Sequence, residues 1–441
     1  MDKVSLVSLG CPKNRVDSDT LLGALRDAGF SYTPDPEGAD VILINTCGFI
    51  EDAKRESIEE ILRLKRLKRE GKRLLVFGCL AERYRDELAK EIPEIDGIWG
   101  VGEEARILEY CKQVMRGRCG EGVTREGKEK KDTGRPHVVV SPLDRGESYA
   151  YLKIADGCNR GCTYCVIPAI RGPYRSAEPD SILRKAEGHI ASGAKELILV
   201  AQDISSYGRE FGGYTLPSLL KDLASISGDF WIRLLYLYPT SINSDLLSVI
   251  ADEDKICKYL DIPLQHSEDR ILKAMGRGGT KRSYRGLIRN LREAIPGITI
   301  RTTFIVGFPG ETEEEFAGLK GFVKEMLFDR MGVFTYSKEE GTAAYTMKAN
   351  VPKRLKEMRR DLIMKLQSAI SLEKNKALVG RRFRALVDET DRKVAIARLQ
   401  SQAPEIDGVV FLEDDTLRQG KFADIEIVEA YDYDLRGEVA A

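Results

Sequence analysis

Short, nearly continuous apolar runs alternate with stretches of helical periodicity through the first quarter of the chain. Residues 4–9, 40–45 and 73–78 read as strands buried on both faces. Residues 17–29, 51–69 and 82–92 place apolar side chains at helical spacing between them, so a parallel sheet with helices on its faces is predicted. The same beat recurs six times further on. Predicted strands at 151–155, 196–201, 230–236, 258–263, 298–304 and 331–336 are separated by helices such as 179–192, 281–294 and 311–327. Six such units make a partial (β/α)6 barrel, open compared with the eight-stranded form. Leu355, Met358, Leu362, Leu366, Ala369 and Ile370 then keep one apolar stripe, expected to pack on the barrel. The chain closes on turn-separated strands at 383–388, 394–398, 409–412 and 423–428, a small β-barrel or sandwich.

The fold class is therefore α/β multidomain, in keeping with a length of 441 residues. The divisions are 1–116 (parallel α/β), 117–144 (polar linker with a solvated charge run), 145–350 (partial barrel), 351–375 (connecting helix) and 376–441 (β-domain). No apolar run approaches the roughly 20 residues of a spanning helix, so no membrane role is expected. The N-terminus has no charged-then-apolar leader, which points to the cytoplasm. Thiols stay reduced there, so the nine cysteines suggest metal, cluster or catalytic use wherever their spacing is regular.

One regular set is Cys158-Asn159-Arg160-Gly161-Cys162-Thr163-Tyr164-Cys165, directly after the first barrel strand. A 4Fe-4S cluster takes one thiolate per iron. Three close thiolates leave one iron open to a ligand, as a catalytic zinc keeps an open position. The alternative is zinc, which usually pairs two Cys-x2-Cys units; no second pair follows. A further set is dispersed in sequence: Cys11, Cys47 and Cys79 each follow a predicted strand of the first domain. The C-terminal strand ends of an open parallel sheet form its ligand edge, so these three should converge. They suggest a second three-thiolate cluster, with zinc or simple packing as the alternatives. Cys111, Cys119 and Cys257 share no such placement and read as structural.

Cys-x3-Cys-x-aromatic-Cys at the first strand end of a six-unit barrel resembles the radical S-adenosylmethionine (SAM) superfamily. That resemblance implies SAM chelated at the open iron and reductive cleavage to a 5′-deoxyadenosyl radical. It also implies Tyr164 beside the adenine, and further SAM contacts from Gln202, Asp203 and Gly307 at later strand ends. Gly307 and Gly310 read equally as a plain turn before a helix. The whole arrangement, with its small TRAM-like C-terminal domain, resembles the methylthiotransferases. The implied cofactors are two 4Fe-4S clusters and SAM, and an external electron donor is implied as a partner.

The words Ser8-Leu9-Gly10-Cys11-Pro12-Lys13-Asn14, Asn45-Thr46-Cys47-Gly48-Phe49-Ile50 and Asp261-Ile262-Pro263-Leu264-Gln265-His266 are similar to the protein-modifying branch. That branch methylthiolates the β-carbon of an aspartate in small-subunit ribosomal protein number twelve. The alternatives are tRNA adenosine methylthiolation and a non-catalytic iron–sulfur redox or binding protein. Charge bears on the choice. The formal net charge is −1, and residues 376–441 hold 10 Lys and Arg against 14 Asp and Glu, a net of −4. An acidic β-domain repels phosphate and attracts a basic protein, so tRNA is not the expected partner. Glu413-Asp414-Asp415 and Asp432 with Asp434 are the acidic clusters, with solubility as their other reading. Lys65-Arg66-Leu67-Lys68-Arg69 reads as a solvated helix face. His266, just past a strand end, reads first as a packing residue.

Overall fold

The computed structural model describes residues 3–68, 71–115, 147–391 and 393–440. The first part runs β1 (Lys3–Ser8), α1 (Pro12–Asp27), β2 (Ser31–Tyr32), β3 (Val41–Thr46), α2 (Glu51–Lys65), β4 (Arg73–Gly78), α3 (Cys79–Arg83), α4 (Arg85–Glu91), β5 (Gly97–Trp99) and α5 (Glu104–Met115). Its five strands are all parallel, in the order β2-β1-β3-β4-β5. The order places β1, β3 and β4 side by side. Their inward residues Val4, Leu43, Leu75 and Phe77 pack under α1 and α5, while Ile42, Ile44 and Val76 pack on the opposite face.

The middle part runs β6 (Tyr149–Lys153), β7 (Ala155–Asp156), α6 (Ile167–Arg171), β8 (Arg175–Ser176), α7 (Pro179–Ala191), β9 (Glu196–Val200), α8 (Leu216–Ser225), β10 (Trp231–Leu234), α9 (Ser244–Asp252), β11 (Ile256–Asp261), α10 (Asp269–Ala274), α11 (Lys281–Ala294), β12 (Thr299–Val306), α12 (Glu313–Met326) and β13 (Arg330–Thr335). Six parallel strands, β6, β9, β10, β11, β12 and β13, lie in sequence order in an open sheet. This is the expected partial barrel. α13 (Lys353–Lys376) then packs on β13 and α12. β14 (Arg382–Asp391), β15 (Val394–Leu399), β16 (Val410–Leu412), β17 (Phe422–Ala430) and β18 (Leu435–Val439) form a closed barrel, so the sandwich alternative is set aside.

Alternation along the strands decides what each side of the open sheet meets. Ala150, Leu152, Leu197, Leu199, Ile232 and Leu234 face the helices. Tyr149, Tyr151, Ile198, Trp231 and Tyr259 face inward, where Leu386, Ala403 and Phe422 of the C-terminal domain pack against them. Buried charge ties that contact: Glu196, fully buried, accepts from Arg233 at 2.5 Å and from Arg398 at 2.7 Å. Asp388 takes the other side of Arg398. Asp407 accepts from Tyr259 Oη at 2.7 Å, and Glu405 from Tyr149 and Tyr151. Asp388 and Asp407 are thus turned onto the barrel, and the acid left for an outer surface is smaller than the sequence count suggests.

Some boundaries differ from expectation. α1 begins at Pro12, not residue 17, because Cys11 caps the helix and Pro12 suits its first position. The expected helix 82–92 breaks at Tyr84 (φ −130, ψ 37) into α3 and α4. β5 and β18 were not anticipated, both being short, while α5 is the helical pattern that contains Cys111. The linker 117–144, Cys119 and Arg69 lie outside the described residues. Among the described residues no helix is long and apolar enough to cross a membrane.

Candidate functional site

Because β1, β3 and β4 are neighbours, Cys11, Cys47 and Cys79 stand in a row along one sheet edge. Adjacent strands are roughly 5 Å apart, which keeps the three within reach of one another. Gly10 sits in the left-handed region (φ +90), and a Cβ there would lie 2.9 Å from Cys47 Sγ. Only a glycine lets the β1 turn approach that thiol. Asn14 organises the edge: its Nδ2 donates to the Leu9 and Thr46 carbonyls at 3.1 Å each, and its Oδ1 accepts from Cys79 Sγ at 3.5 Å. Ser57 clasps Cys47, accepting from its N–H (2.9 Å) and donating to its carbonyl (3.0 Å). Burial pushes the Cys47 thiol up to about 12. It pushes Cys79 up to about 11, with Arg171 pulling the other way.

Cys158, Cys162 and Cys165 occupy the loop between β7 and α6, each half-buried and unpaired. The loop is pinned from several sides. Thr163 N–H donates to the Met275 carbonyl (2.9 Å), and Arg160 holds Asp203 (2.8 Å) and Ser241 (2.7 Å). The Arg160 N–H also donates to Cys158 Sγ at 3.4 Å. Arg277 Nη1 donates to Cys162 Sγ at 3.7 Å, and its guanidinium stacks 4.2 Å over the Tyr238 ring. Burial pushes the Cys165 thiol up to about 12. Tyr164 packs with Phe308, Tyr336 and Met275 at the later strand ends. Gln202 donates to Asp156 at 3.1 Å and leaves its Oε1 buried without a partner. Asp203 lines a 360 Å³ cavity with Cys158, Arg160, Tyr174 and Ser206. Gly307 (φ +73) stands in a turn where its N–H is taken by Glu311 at 2.8 Å.

The two cysteine sets meet across the domain junction. Cys79 packs directly on Val166 and Ile170, which follow Cys165. Arg171, its side chain 2% exposed, reaches from α6 to Asn14 Oδ1 (2.6 Å), Asp17 (3.1 Å), Asp156 (3.1 Å) and Cys79 Sγ (3.6 Å). Lys153 bridges the same two carboxylates. Burial alone would raise the Asp156 carboxyl, yet Lys153 and Arg171 hold it well below the usual range. Each thiol set therefore has one arginine side chain donating to a sulfur, an arrangement that would stabilise negative charge on cluster thiolates.

The donor sets fit iron–sulfur clusters. Both consist of thiols alone, which is soft-metal chemistry. Among the described residues no three Cys, His, Asp or Glu side chains close on a single ion, and neither set has a fourth cysteine beside it. Cys111 and Cys257 are fully buried elsewhere. His266 is also fully buried, its Nδ1 accepting from the Glu268 N–H at 3.1 Å and its Nε2 3.5 Å from Glu311, a packing role. Lys65 and Lys68 are tied to Glu94 and Asp96, not presented as an open basic face. Asp17, Arg171 and Arg277 escaped sequence reasoning because none lies in a spaced motif, and Asn14 was quoted in a family word without a role; the topology gathers them.

Comparison with known proteins agrees with this layout. Residues 3–100 match the family described as uncharacterized protein family UPF0004, residues 152–323 the radical SAM superfamily, and residues 379–440 the TRAM domain. The chain is 52% identical to the ribosomal protein uS12 methylthiotransferase RimO of Thermodesulfovibrio yellowstonii, over 100% of both chains. It is 46% identical to that of a Thermoanaerobacter species, over 99% of this chain and 100% of the relative. Among solved structures it resembles the radical SAM methyltransferase TsrM from Kitasatospora setae, solved with cobalamin and a 4Fe-4S cluster (TM-score 0.57, 14% identity, 90% of this chain and 81% of that one). The cobalamin-dependent SAM radical enzyme OxsB aligns with TM-score 0.57 at 12% identity, over 83% of this chain and 56% of that one. At such identities the likeness concerns the fold alone.

Proposed function

The chain belongs to the RimO-type ribosomal protein uS12 methylthiotransferases, a radical SAM transferase family, and on that premise we propose how its own residues divide the work. Cys158, Cys162 and Cys165 hold the SAM-binding cluster, and Cys11, Cys47 and Cys79 hold the second. The product is a methylthio group on the β-carbon of an aspartate of ribosomal protein uS12. The bound clusters and SAM supply radical chemistry at an unactivated C–H bond and the sulfur to be inserted.

One observation carries the reading: two three-thiol sets on separate domains face a single junction, joined by α6 and Arg171. Arg160 and Thr163 fix the loop that presents the first set. Asn14 and Ser57 fix the edge that presents the second. Tyr164 and Gln202 contribute SAM contacts, the latter with a free buried acceptor. Asp203 acts by holding Arg160, and Gly307 shapes the turn that brings Phe308 against Tyr164. An external donor supplies electrons, and the reduced thiols suit a cytoplasmic setting.

The test is anaerobic reconstitution followed by iron counting and mass spectrometry of uS12. The intact chain should hold about eight irons, and a variant with Cys158, Cys162 and Cys165 all changed to Ala about four. The intact chain should add one methylthio group to one aspartate of uS12 and none to a tRNA anticodon stem-loop. Modification of the RNA instead would overturn the substrate; unmodified uS12 with a fully loaded enzyme would overturn the reaction.

A further inference from the structure

Among the described residues, the cations that bind the two domains to each other have hydrogen-bonding or ion-pair partners, and Lys13 beside them does not. Lys153 is taken by Asp17 and Asp156, Arg171 by the same carboxylates and Asn14, Arg277 by the Pro263 carbonyl and Cys162. Arg301 is taken by Asp261 and Asp407, and Lys54 and Arg83 share Glu339. Lys13 is the exception. It stands in the first turn of α1, two residues past Cys11, and is half-buried. Among the described residues it makes no hydrogen bond or ion pair, and its ammonium lies 3.5 Å from the centre of the Tyr236 ring. Asp261 is the nearest carboxylate that attracts it, but that side chain bonds Arg301 (3.1 Å) and the Tyr236 N–H (3.2 Å) and makes no ion pair with Lys13.

Tyr236 follows β10 with φ 66, a left-handed conformation that an aromatic residue adopts only where its surroundings enforce it. The strained residue places its ring beneath the Lys13 ammonium at the C-terminal end of the barrel strands. The charge of Lys13 is held by the Tyr236 ring and, at longer range, by the Cys11 sulfur and Asp261, with no partner in hydrogen-bond contact. An ammonium braced on an aromatic face, two residues from Cys11 and without a hydrogen-bond partner, has the character of an anion receptor.

We propose that Lys13 receives the side-chain carboxylate of the substrate aspartate. This rests on the reading that the substrate is a protein aspartate, and adds the residue that recognises it. A carboxylate on Lys13 would set the adjacent β-carbon, one bond away, between the Cys11 edge and the barrel mouth. Asparagine, equal in size but neutral, would lose the charge-assisted contact. The site is thus specific for the acid over its amide.

The test compares two synthetic uS12 peptides, one with the target aspartate and one with asparagine in its place. Each is assayed for modification and, by fluorescence anisotropy, for binding to the reconstituted full-length chain and to its Lys13→Met and Lys13→Arg variants. The intact chain should favour the aspartate peptide about tenfold to a hundredfold in both readouts. Lys13→Met should bring the ratio near one, and Lys13→Arg should restore most of it. The ratio is taken within one preparation, so incomplete cluster loading cancels. A wild-type ratio in Lys13→Met would overturn the proposal and leave Lys13 as a counter-charge to the thiolates. If the intact chain modifies neither the peptide nor whole uS12, the functional reading itself fails and the proposal falls with it.

Discussion

Replacing Arg171 by Met probes the junction at its most connected point. The buried cluster holds two carboxylates, Asp17 and Asp156, against two cations, Lys153 and Arg171. Removing the guanidinium leaves both carboxylates to share Lys153. Breaking a buried pair by deleting one partner costs about 3–5 kcal/mol, and the retained lysine places this case near 3 kcal/mol. Three of the contacts of Arg171 (Asn14, Asp17 and Cys79) belong to the N-terminal domain, so the loss falls on docking of that domain against the barrel. About 3 kcal/mol corresponds to a population of opened junction raised on the order of a hundredfold. Hydrogen exchange reads this at α6, where Ile170 N–H bonds to the Val166 carbonyl (3.2 Å) and Gly172 N–H to that of Pro168 (3.1 Å). Those amides should exchange about a hundredfold faster in Arg171→Met, with amides of β12 unchanged. Asp17→Asn should speed exchange in the intact chain but slow it in the Arg171→Met background, where it removes the stranded charge. Exchange within threefold of the intact chain, or strictly additive effects of the two changes, would refute the account.

Three other outcomes follow from the same structure. Gly10→Ala should cost the N-terminal cluster alone, because the new Cβ meets Cys47 at 2.7 Å from a left-handed backbone; iron per chain should fall by about half while SAM cleavage continues. In the cluster-free chain the buried thiols of Cys47 and Cys79 titrate above their unfolded value. Their contribution to stability is therefore complete below about pH 8.5–9 and declines above it as the unfolded chain loses its protons first, by up to about 1.4 kcal/mol per pH unit for each thiol; urea unfolding of chelated protein at pH 8 and pH 10.5 checks the sign. Arg398→Met should leave Asp388 unpaired and Glu196 with Arg233 alone, costing about 3 kcal/mol, seen as early thermal release and proteolysis of the C-terminal barrel.

The sheets and their parallel sense were legible because each rests on local pattern: apolar runs and helical spacing. Expecting Cys11, Cys47 and Cys79 on one edge needed only the placement of each after a strand, and β1, β3 and β4 are indeed neighbours. Arg171 and Lys13 were not legible. Their roles come from partners more than a hundred residues away, Asn14 for the one and Tyr236 for the other; the word that contains Lys13 marks a branch of the family without saying what that side chain does. The acidic tally of the last segment misled in part for the same reason. A composition count cannot separate Asp388 and Asp407, turned onto Arg398 and Tyr259, from the exposed Glu413 and Asp415.

The inward face of the open sheet is completed by the chain's last segment: Tyr149, Ile198, Trp231 and Tyr259 are covered by Leu386, Ala403 and Phe422. During synthesis those apolar and aromatic residues emerge long before their cover. The catalytic domain must therefore wait, with an apolar surface exposed, until nearly the whole polypeptide has left the ribosome, and its final closure is a post-translational event. A chain truncated before β14 would not be a smaller enzyme lacking an accessory module. It would be an unfinished one, a target for chaperones and proteases.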